Sequence, residues 1–312
     1  MSSVPRALEA TDPLLAVEDL SVAYGAREGS VSALQRLSIQ IPPGEVFGLV
    51  GESGSGKSTL AMAILGQLPG NARVACGRIL FENEDLRRAS PSAWRRVRWR
   101  KLAYVPQAAM SALNPVRRIG DQFADLFRDH LEATDSSRTA ALLESVHLPQ
   151  RVLSAYPHEL SGGMRQRVCI AMAIALSPRL IIADEPTSAL DVVSQRRVLE
   201  TVLEVRARLG ATIILIGHDL AVQAQVADRI GILLAGRFVE IAPVAAIFEH
   251  PRHPYTQRLL ASVPSIRQRT GLPQVTAVTE AERQRWTDPS APLIEIATGH
   301  SVAAYDRREW RP

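Results

Sequence analysis

The chain has 312 residues, 46% hydrophobic content and a formal net charge of +4, which suffices for one sizeable core with an appendage. Charges of both signs are interspersed, which excludes a chain that is polybasic as a whole. No run of about 18 apolar residues occurs and the N-terminus lacks an apolar signal region, so we expect a soluble cytoplasmic protein, or one attached to a membrane through partners.

The two cysteines, Cys76 and Cys169, lie far apart in the sequence and in apolar surroundings. We expect both to be buried free thiols, because this pattern is typical of a reducing compartment and forms neither a disulfide framework nor a metal site.

The first elements in chain order are predicted strands. Residues 1–13 are polar and flanked by proline, so we expect a loose tail there. Residues 14–22 and 31–41 are predicted to be strands of an antiparallel sheet. Residues 77–81 are predicted to be a further strand.

A glycine-rich stretch, GESGSGKST at residues 51–59, lies between an apolar run at 46–50 and a helical pattern at 60–65. The spacing G-x-x-x-x-G-K-S between a strand and a helix predicts a phosphate-binding P-loop. Backbone N–H groups and the helix N-terminus attract an anion. Lys57 would reach the β- and γ-phosphates and Ser58 would ligate Mg²⁺. The loop residues expected to bind nucleotide are Gly51, Ser53, Gly54, Ser55, Gly56, Lys57, Ser58 and Thr59.

The choice of lysine in this loop is informative, although a glycine-rich turn with a chance lysine is the alternative. Lys57 and Lys101 are the two lysines of the chain, against 34 arginines. A compact ammonium fits between phosphates where a planar guanidinium does not.

A basic and aromatic stretch, WRRVRWRK at residues 94–101, has two interpretations. Aromatic residues among basic ones can stack on nucleic-acid bases. A short solvated amphipathic helix before the next strand is the alternative, and we favour it because the charge is local.

Residues 108–160 contain helical patterns at 119–131 and 138–146 and no strong strand, which indicates a helical insertion after a strand at 102–105. The insertion closes at LSGGMRQ, residues 160–166, and a helix is predicted from 166 to 176.

Two apolar runs, at residues 180–183 and 212–216, predict buried parallel strands. Asp184 and Glu185 follow the first run, and His218 follows the second. Polar side chains at the carboxyl ends of such strands lie where α/β sheets bind ligands. A hairpin is predicted within 230–241, and a small appended element after residue 250.

Taken together, residues 14–262 resemble the nucleotide-binding subunit of an ABC transporter, and LSGGMRQ is the most specific of the motifs. The resemblance implies an α/β P-loop NTPase core with an antiparallel β subdomain, an inserted α-helical subdomain and a short C-terminal extension. The implied divisions are a tail at 1–13, the nucleotide-binding domain at 14–249 with its helical subdomain at about 108–165, and the extension at 250–312.

The resemblance also implies roles for individual residues. Gln107 would contact Mg²⁺ and the attacking water, Asp184 would hold Mg²⁺, and Glu185 would be the general base. His218 would contact the γ-phosphate, and Tyr24 would stack on adenine. The alternatives are a strand-end tyrosine for Tyr24, a helix cap or salt bridge for Glu185, and packing for His218.

The resemblance further implies a site shared between two subunits. Ser161, Gly162 and Gly163 begin a helix, whose N–H groups and dipole favour a phosphate. In the family these groups face the ATP held by the P-loop of the other subunit. ATP binding would close the dimer and hydrolysis would reset it.

The tail, HPRHPYTQRLL at residues 250–260, resembles the segment after the cassette in the peptide and nickel importer branch, and Met164 and Asn114-Pro115 resemble its first ATPase subunit. This implies an ATP- and Mg²⁺-dependent ATPase that energises import of dipeptides, oligopeptides or related solutes. No cysteine follows Cys169, so we expect no iron–sulfur cluster.

The implied partners are two transmembrane permeases, a second related ATPase in a heterodimer or homodimer, and indirectly an extracytoplasmic solute-binding protein. The location would be peripheral, at the cytoplasmic face of the inner membrane. The alternative is a soluble ABC ATPase acting on nucleic acid or ribosomes. Residues 94–101 alone favour it, so we expect no nucleic-acid partner.

Overall fold

The fold consists of two β-sheets with helices around them, in a computed structural model that describes residues 12–26, 29–107, 112–132, 136–262, 278–287 and 291–305. In chain order the strands are β1 (Leu15–Ala26), β2 (Gly29–Ile41), β3 (Val46–Val50), β4 (Ala72–Phe81), β5 (Glu84–Asp85), β6 (Leu102–Val105), β7 (Leu180–Asp184), β8 (Thr212–Gly217), β9 (Arg229–Leu234), β10 (Arg237–Pro243), β11 (Leu293–Ala297) and β12 (His300–Ala303). The helices are α1 (Lys57–Ile64), α2 (Pro91–Val97), α3 (Ile119–Asp129), α4 (Ser136–Glu144), α5 (Gly162–Ala173), α6 (Val192–Leu209), α7 (Leu220–Gln223), α8 (Val244–Glu249), α9 (Pro254–Ala261) and α10 (Glu280–Trp286).

The larger sheet has the order β11-β12-β10-β9-β3-β8-β7-β6. Its strands from β9 to β6 are parallel, and β10, β12 and β11 continue it with antiparallel pairs. β3 and β7 are buried along their whole length, as predicted for parallel strands covered on both faces. The register pairs Val50 with Gly217 and Asp184 with Ile216, so three strands end side by side at one edge.

The smaller sheet has the order β2-β1-β4-β5 and is antiparallel, as predicted. Its buried face, α1 and one face of the larger sheet share a single apolar core. The mixed α/β architecture confirms the predicted fold class. This shared core places α1 between the sheets, where its N-terminus faces the ends of the parallel strands.

Helices α3, α4 and α5 pack over the other face of the larger sheet, in a second apolar core that contains Phe123 and Phe127. The guanidinium of Arg167 on α5 is buried and donates to the carbonyl oxygens of Val146 (3.1 Å) and His147 (2.7 Å), which ties α5 to the end of the preceding helix pair.

The bounds of these helices differ slightly from the predicted ones. α5 begins at Gly162 because Ser161 caps it.

The C-terminal part of the chain adds strands to the larger sheet. β12 pairs with β10, and β11 pairs with β12. Tyr255 on α9 and Trp286 on α10 lie in a third apolar core together with Val50 and Ile232. The segment after residue 250 is therefore built onto the sheet, and no local periodicity in the sequence pointed to its final hairpin.

The prediction that both cysteines are buried is wrong for one of them. Cys169 is buried on α5, whereas Cys76 is exposed on β4, and both are free thiols. The reason is that β4 belongs to the antiparallel sheet, one face of which borders solvent. In the part of the chain that the structure describes, every helix is too short or too polar to span a lipid bilayer.

Candidate active site

The P-loop turns at the edge where β3 ends, and close packing fixes its glycines. A Cβ on Gly51 would lie 2.3 Å from the carbonyl oxygen of Leu233 on β9. Gly56 has a φ of +109°, and its Cβ would lie 2.7 Å from the carbonyl oxygen of Ala33. At both positions a side chain would collide with backbone, so the loop can take this shape only with glycine.

Lys57 is the first residue of α1 and is buried. Its Nζ donates to the carbonyl oxygens of Gly51 (2.7 Å) and Glu52 (2.8 Å). Burial lowers the pKa of Lys57, and attraction by Glu185, Asp184 and Glu52 opposes that shift. The ammonium thus lies inside the curve of the loop, where an anion would meet it.

Asp184, at the end of β7, is a buried carboxyl next to the start of α1. The Tyr104 hydroxyl donates to its Oδ2 at 3.1 Å, and the Ser58 hydroxyl is a second hydrogen-bond partner. Burial raises the pKa of Asp184, the charge of Glu185 adds to the rise, and the two hydrogen bonds and Lys57 oppose it. Ser58 and Asp184, assigned to metal binding from the sequence, are therefore neighbours.

Tyr104 is a site residue that the sequence reasoning missed. On the parallel strands β6 and β7 it pairs with Ile182, and Asp184 is two residues further along β7, on the same face. Because side chains of a strand alternate between faces, this register brings the Tyr104 ring beside Asp184. The register of the two predicted strands was the signal that could have found it.

Two side chains assigned to catalysis converge on the carboxylate of the third, Glu185. Gln107 Nε2 donates to Glu185 Oε2 at 2.9 Å, and His218 Nδ1 lies 3.5 Å from the same oxygen. Glu185 has a φ of +43°, and its N–H donates to the Ile216 carbonyl on β8 at 2.9 Å. A non-glycine residue held in the left-handed region indicates backbone strain, of a kind that clusters at functional sites. The carboxylate, amide and imidazole can together orient a water molecule.

Tyr24 lies near the end of β1, half-buried beside α1. Its hydroxyl is 3.3 Å from Thr59 Oγ1, a hydrogen bond in which either oxygen can donate. The structure thus brings Tyr24 next to the P-loop helix, at the position from which a ring could cover a base whose phosphates lie in the loop.

Ser161, Gly162 and Gly163 lie at the start of α5, and their contacts differ from those of the P-loop residues. Ser161 is exposed, and its Oγ accepts the N–H of Met164 at 3.2 Å. A Cβ on Gly163 would lie 2.9 Å from Ser194 Oγ on α6. The residues of α5 pack against α6, α4, α3 and β6. We call LSGGMRQ, residues 160–166, the signature segment. Its helix N-terminus lies beside the start of α6, whereas Lys57, Asp184 and Glu185 form one group at the sheet edge.

The residues at the sheet edge suit a magnesium ion that is shared with a phosphate ligand. The described residues contain no group of three or more histidine, cysteine, aspartate or glutamate side chains that could hold a metal alone. Mg²⁺ prefers oxygen ligands and is usually bound through one or two side chains together with substrate phosphates. The Ser58 hydroxyl and the Asp184 carboxylate supply that number and kind of donor.

Two protein families match the chain. The family described as ABC transporter matches residues 34–188, and the family described as oligopeptide/dipeptide transporter, C-terminal region, matches residues 239–285. The dipeptide transport ATP-binding protein DppD of Bacillus subtilis is 42% identical over 261 residues, which cover 82% of this chain and 78% of that protein. The oligopeptide transport ATP-binding protein OppD of the same organism is 40% identical over 295 residues, 93% of this chain and 82% of that protein.

Solved structures agree with the sequence comparison. A dimeric ATP-binding cassette in a post-hydrolysis state, bound to ADP and Pi, is similar with a TM-score of 0.66 and 26% identity, covering 74% of this chain and 98% of that one. A subunit of an ABC transporter complex from Clostridium perfringens has the same TM-score and identity, covering 77% of this chain and 92% of that one.

Proposed function

The chain belongs to the ATP-binding subunits of ABC transporters, which are ATPases, and on that premise we propose that it energises the import of dipeptides or oligopeptides. The observation that carries the nucleotide chemistry is the convergence of Lys57, Asp184 and Glu185 where β3, β7 and β8 end. The match of residues 239–285 to the C-terminal region of oligopeptide and dipeptide transporters supports the substrate class.

The geometry of the site supports a role for each of its residues. Lys57 Nζ binds the β- and γ-phosphates of ATP from within the loop. Ser58 and Asp184 hold Mg²⁺, which neutralises charge that develops on the phosphates. Gln107 is the third residue assigned to Mg²⁺ and the attacking water, and its side chain contacts Glu185.

Glu185 is the general base in this proposal. Its carboxylate accepts a proton from the attacking water, while Gln107 and His218 hold the carboxylate and the water in line with the γ-phosphate. Phosphoryl transfer depends mainly on positioning and charge neutralisation, so the held orientation of Glu185 is what the fold contributes.

The remaining nucleotide contacts involve both subunits of a dimer. Tyr24 stacks on adenine beside the subunit's own P-loop. Ser161, Gly162 and Gly163 offer N–H donors to the ATP of the partner. The exposure of Ser161 at a helix N-terminus supports this, since an exposed donor group is available to another chain.

The protein works with membrane permeases as the ATP-binding component of a transporter. We propose two permeases, a second related ATPase in a heterodimer or homodimer, and an extracytoplasmic solute-binding protein, with the chain peripheral at the cytoplasmic face of the inner membrane. The divisions at residues 13 and 249 and the helical subdomain at about 108–165 belong to the same proposal, as does the expected lack of an iron–sulfur cluster.

Residues 94–101 take part in the fold, which disfavours the nucleic-acid alternative. Trp99 Nε1 donates to the Met172 carbonyl at 2.9 Å, and the Arg98 guanidinium lies over the Trp94 ring at 4.6 Å. Arg100 pairs with Glu132 and Lys101 with Glu82. Basic groups and rings with partners inside the chain are poorly placed to bind phosphates or stack on bases.

A complementation experiment tests the function. A strain that lacks the chain but keeps its permeases is given the wild type, Glu185→Gln, or the control Glu200→Gln, whose carboxylate is an exposed partner of Arg196. Uptake of a labelled dipeptide and tripeptide should return with the wild type and the control and stay absent with Glu185→Gln. If the wild type restores uptake of another solute but of neither peptide, the proposed substrate class is wrong.

A further inference from the structure

The segment after the cassette reaches back to the P-loop through one side chain. Tyr255 lies in the first turn of α9 and is completely buried. Its hydroxyl accepts the backbone N–H of Glu52 at 3.2 Å, across 203 positions of sequence. A hydrogen bond between two such distant segments places a C-terminal group directly on the loop that binds phosphate.

The peptide group that meets Tyr255 also holds the loop lysine. The N–H of Glu52 and the carbonyl of Gly51 belong to the same planar peptide unit. The N–H donates to Tyr255, and the carbonyl oxygen accepts from Lys57 Nζ at 2.7 Å. Hydrogen bonds on the two ends of one peptide polarise each other, so the first bond strengthens and orients the second.

The position of the Tyr255 hydroxyl is set by the C-terminal segment. Glu240 on β10 is fully buried, and its carboxylate accepts the N–H groups of Arg252 and His253, each at 2.9 Å. His300 Nε2 on β12 is 2.7 Å from the same carboxylate. His253 Nδ1 in turn accepts the N–H of Tyr255 at 3.2 Å. This network fixes the start of α9 against the sheet.

We propose that Tyr255 is a positioning residue of the nucleotide site, which acts by orienting the Gly51–Glu52 peptide so that its carbonyl holds Lys57 where the β- and γ-phosphates bind. The proposal rests on the proposed function of Lys57. On this proposal, the C-terminal segment helps to position the residues of the ATP site. A change that undocks α9 therefore weakens ATP binding without touching a residue that contacts ATP.

The test compares ATP binding in full-length variants. Tyr255→Phe keeps the ring and removes the acceptor of the Glu52 N–H. The matched control is Thr256→Val, which removes a neighbouring buried hydroxyl that has no hydrogen-bond partner among the described residues. We expect Tyr255→Phe to weaken ATP binding about tenfold, because the part-buried N–H of Glu52 loses its partner. Thr256→Val should bind ATP like the wild type.

A double-mutant cycle separates positioning from a general loss of packing. In a Lys57→Met background, Tyr255→Phe should weaken ATP binding by less than roughly twofold, because its effect passes through the missing ammonium. An additive loss in the double variant would overturn the proposal, as would an equal loss in Thr256→Val. If Lys57→Met itself leaves ATP binding unchanged, the proposed P-loop function fails instead.

A measurement on the wild type needs no variant. Hydrogen exchange of the Glu52 amide should be slow in the full chain, because the N–H is bonded to a buried hydroxyl. Exchange at the rate of an unprotected amide would overturn the proposal even if the variants did not fold.

Discussion

Gln107 and Glu185 meet across the parallel sheet, with Gln107 Nε2 donating to Glu185 Oε2 at 2.9 Å. Gln107 follows β6 and Glu185 follows β7, so the hydrogen bond joins the ends of two neighbouring parallel strands. His218 Nδ1 lies 3.5 Å from the same oxygen. Gln107 and His218 therefore hold the Glu185 carboxylate from two neighbouring strand ends.

Glu185→Gln should preserve ATP binding and reduce hydrolysis by at least about 100-fold, because the amide keeps the shape of the side chain but removes the base. Turnover is measured in the assembled transporter with the partner site disabled, together with nucleotide occupancy. Glu200→Gln is the control, since it neutralises an exposed carboxylate far along α6. Normal turnover in Glu185→Gln would assign the base to another residue.

Lys57→Ala should abolish hydrolysis and weaken ATP binding, because the phosphates lose a cation that the loop carbonyls hold in place. Lys101→Ala is a matched control, since Lys101 is exposed and forms an ion pair with Glu82. Both properties are read from equilibrium binding and from turnover in the assembled transporter. Wild-type values for Lys57→Ala would contradict the P-loop assignment.

His253 gives the C-terminal segment a dependence on pH. Burial lowers its pKa to about 4, from an ordinary value of 6.5. Its Nδ1 must also stay unprotonated to accept the N–H of Tyr255. Protons therefore bind the unfolded chain more tightly, and the stability that neutral His253 contributes above about pH 6.5 is lost as the pH falls through 4. The expected loss is about 3 kcal/mol.

The measurement compares the free energy of unfolding of the wild type and of His253→Asn between pH 7 and pH 4, a range that includes both pKa values. Asparagine retains an acceptor for a helix cap but does not titrate in that range. The wild type should lose more stability than the variant on acidification. Parallel curves would show that His253 does not titrate in the folded chain as its burial implies.

The sequence was sufficient for the parts of the fold that local chemistry determines. Lys57 stands in a loop whose shape requires glycine, and Asp184 ends a short apolar run of the kind typical of a buried strand. Their proximity follows because parallel strands end at the same edge of a sheet. These residues were therefore predictable without knowledge of any distant contact.

Local sequence chemistry could not predict the contacts between distant segments. The bond from Glu52 to Tyr255 spans 203 positions, and its geometry depends on how β10 and β12 pair. Glu240 on β10 is a charged residue within the predicted hairpin, and it is fully buried because the C-terminal segment covers it. The hydrophobic periodicity of a strand or helix describes one element at a time, so it does not reveal that a distant segment covers Glu240.

Ser161→Arg tests whether the signature segment serves the partner's site. Ser161 is exposed at the N-terminus of α5, and the residues behind it are packed against α6, with Gly163 in contact with Ser194. In the proposed shared site, the N–H groups at the start of this helix face the partner subunit, while Lys57 lies inside its own loop. On that proposal, an arginine at position 161 would put bulk and a guanidinium at the place of the partner's γ-phosphate.

The expected result is a loss of hydrolysis at the site built on the partner's P-loop, with ATP binding to the P-loop of the mutated subunit almost unchanged. Ser161→Ala is the control, because it removes the cap to Met164 without adding bulk and should cost only about 1 kcal/mol of stability. The measurement uses transporters in which one P-loop at a time is functional. If Ser161→Arg silences the site that contains Lys57 and spares the other, the signature serves its own subunit.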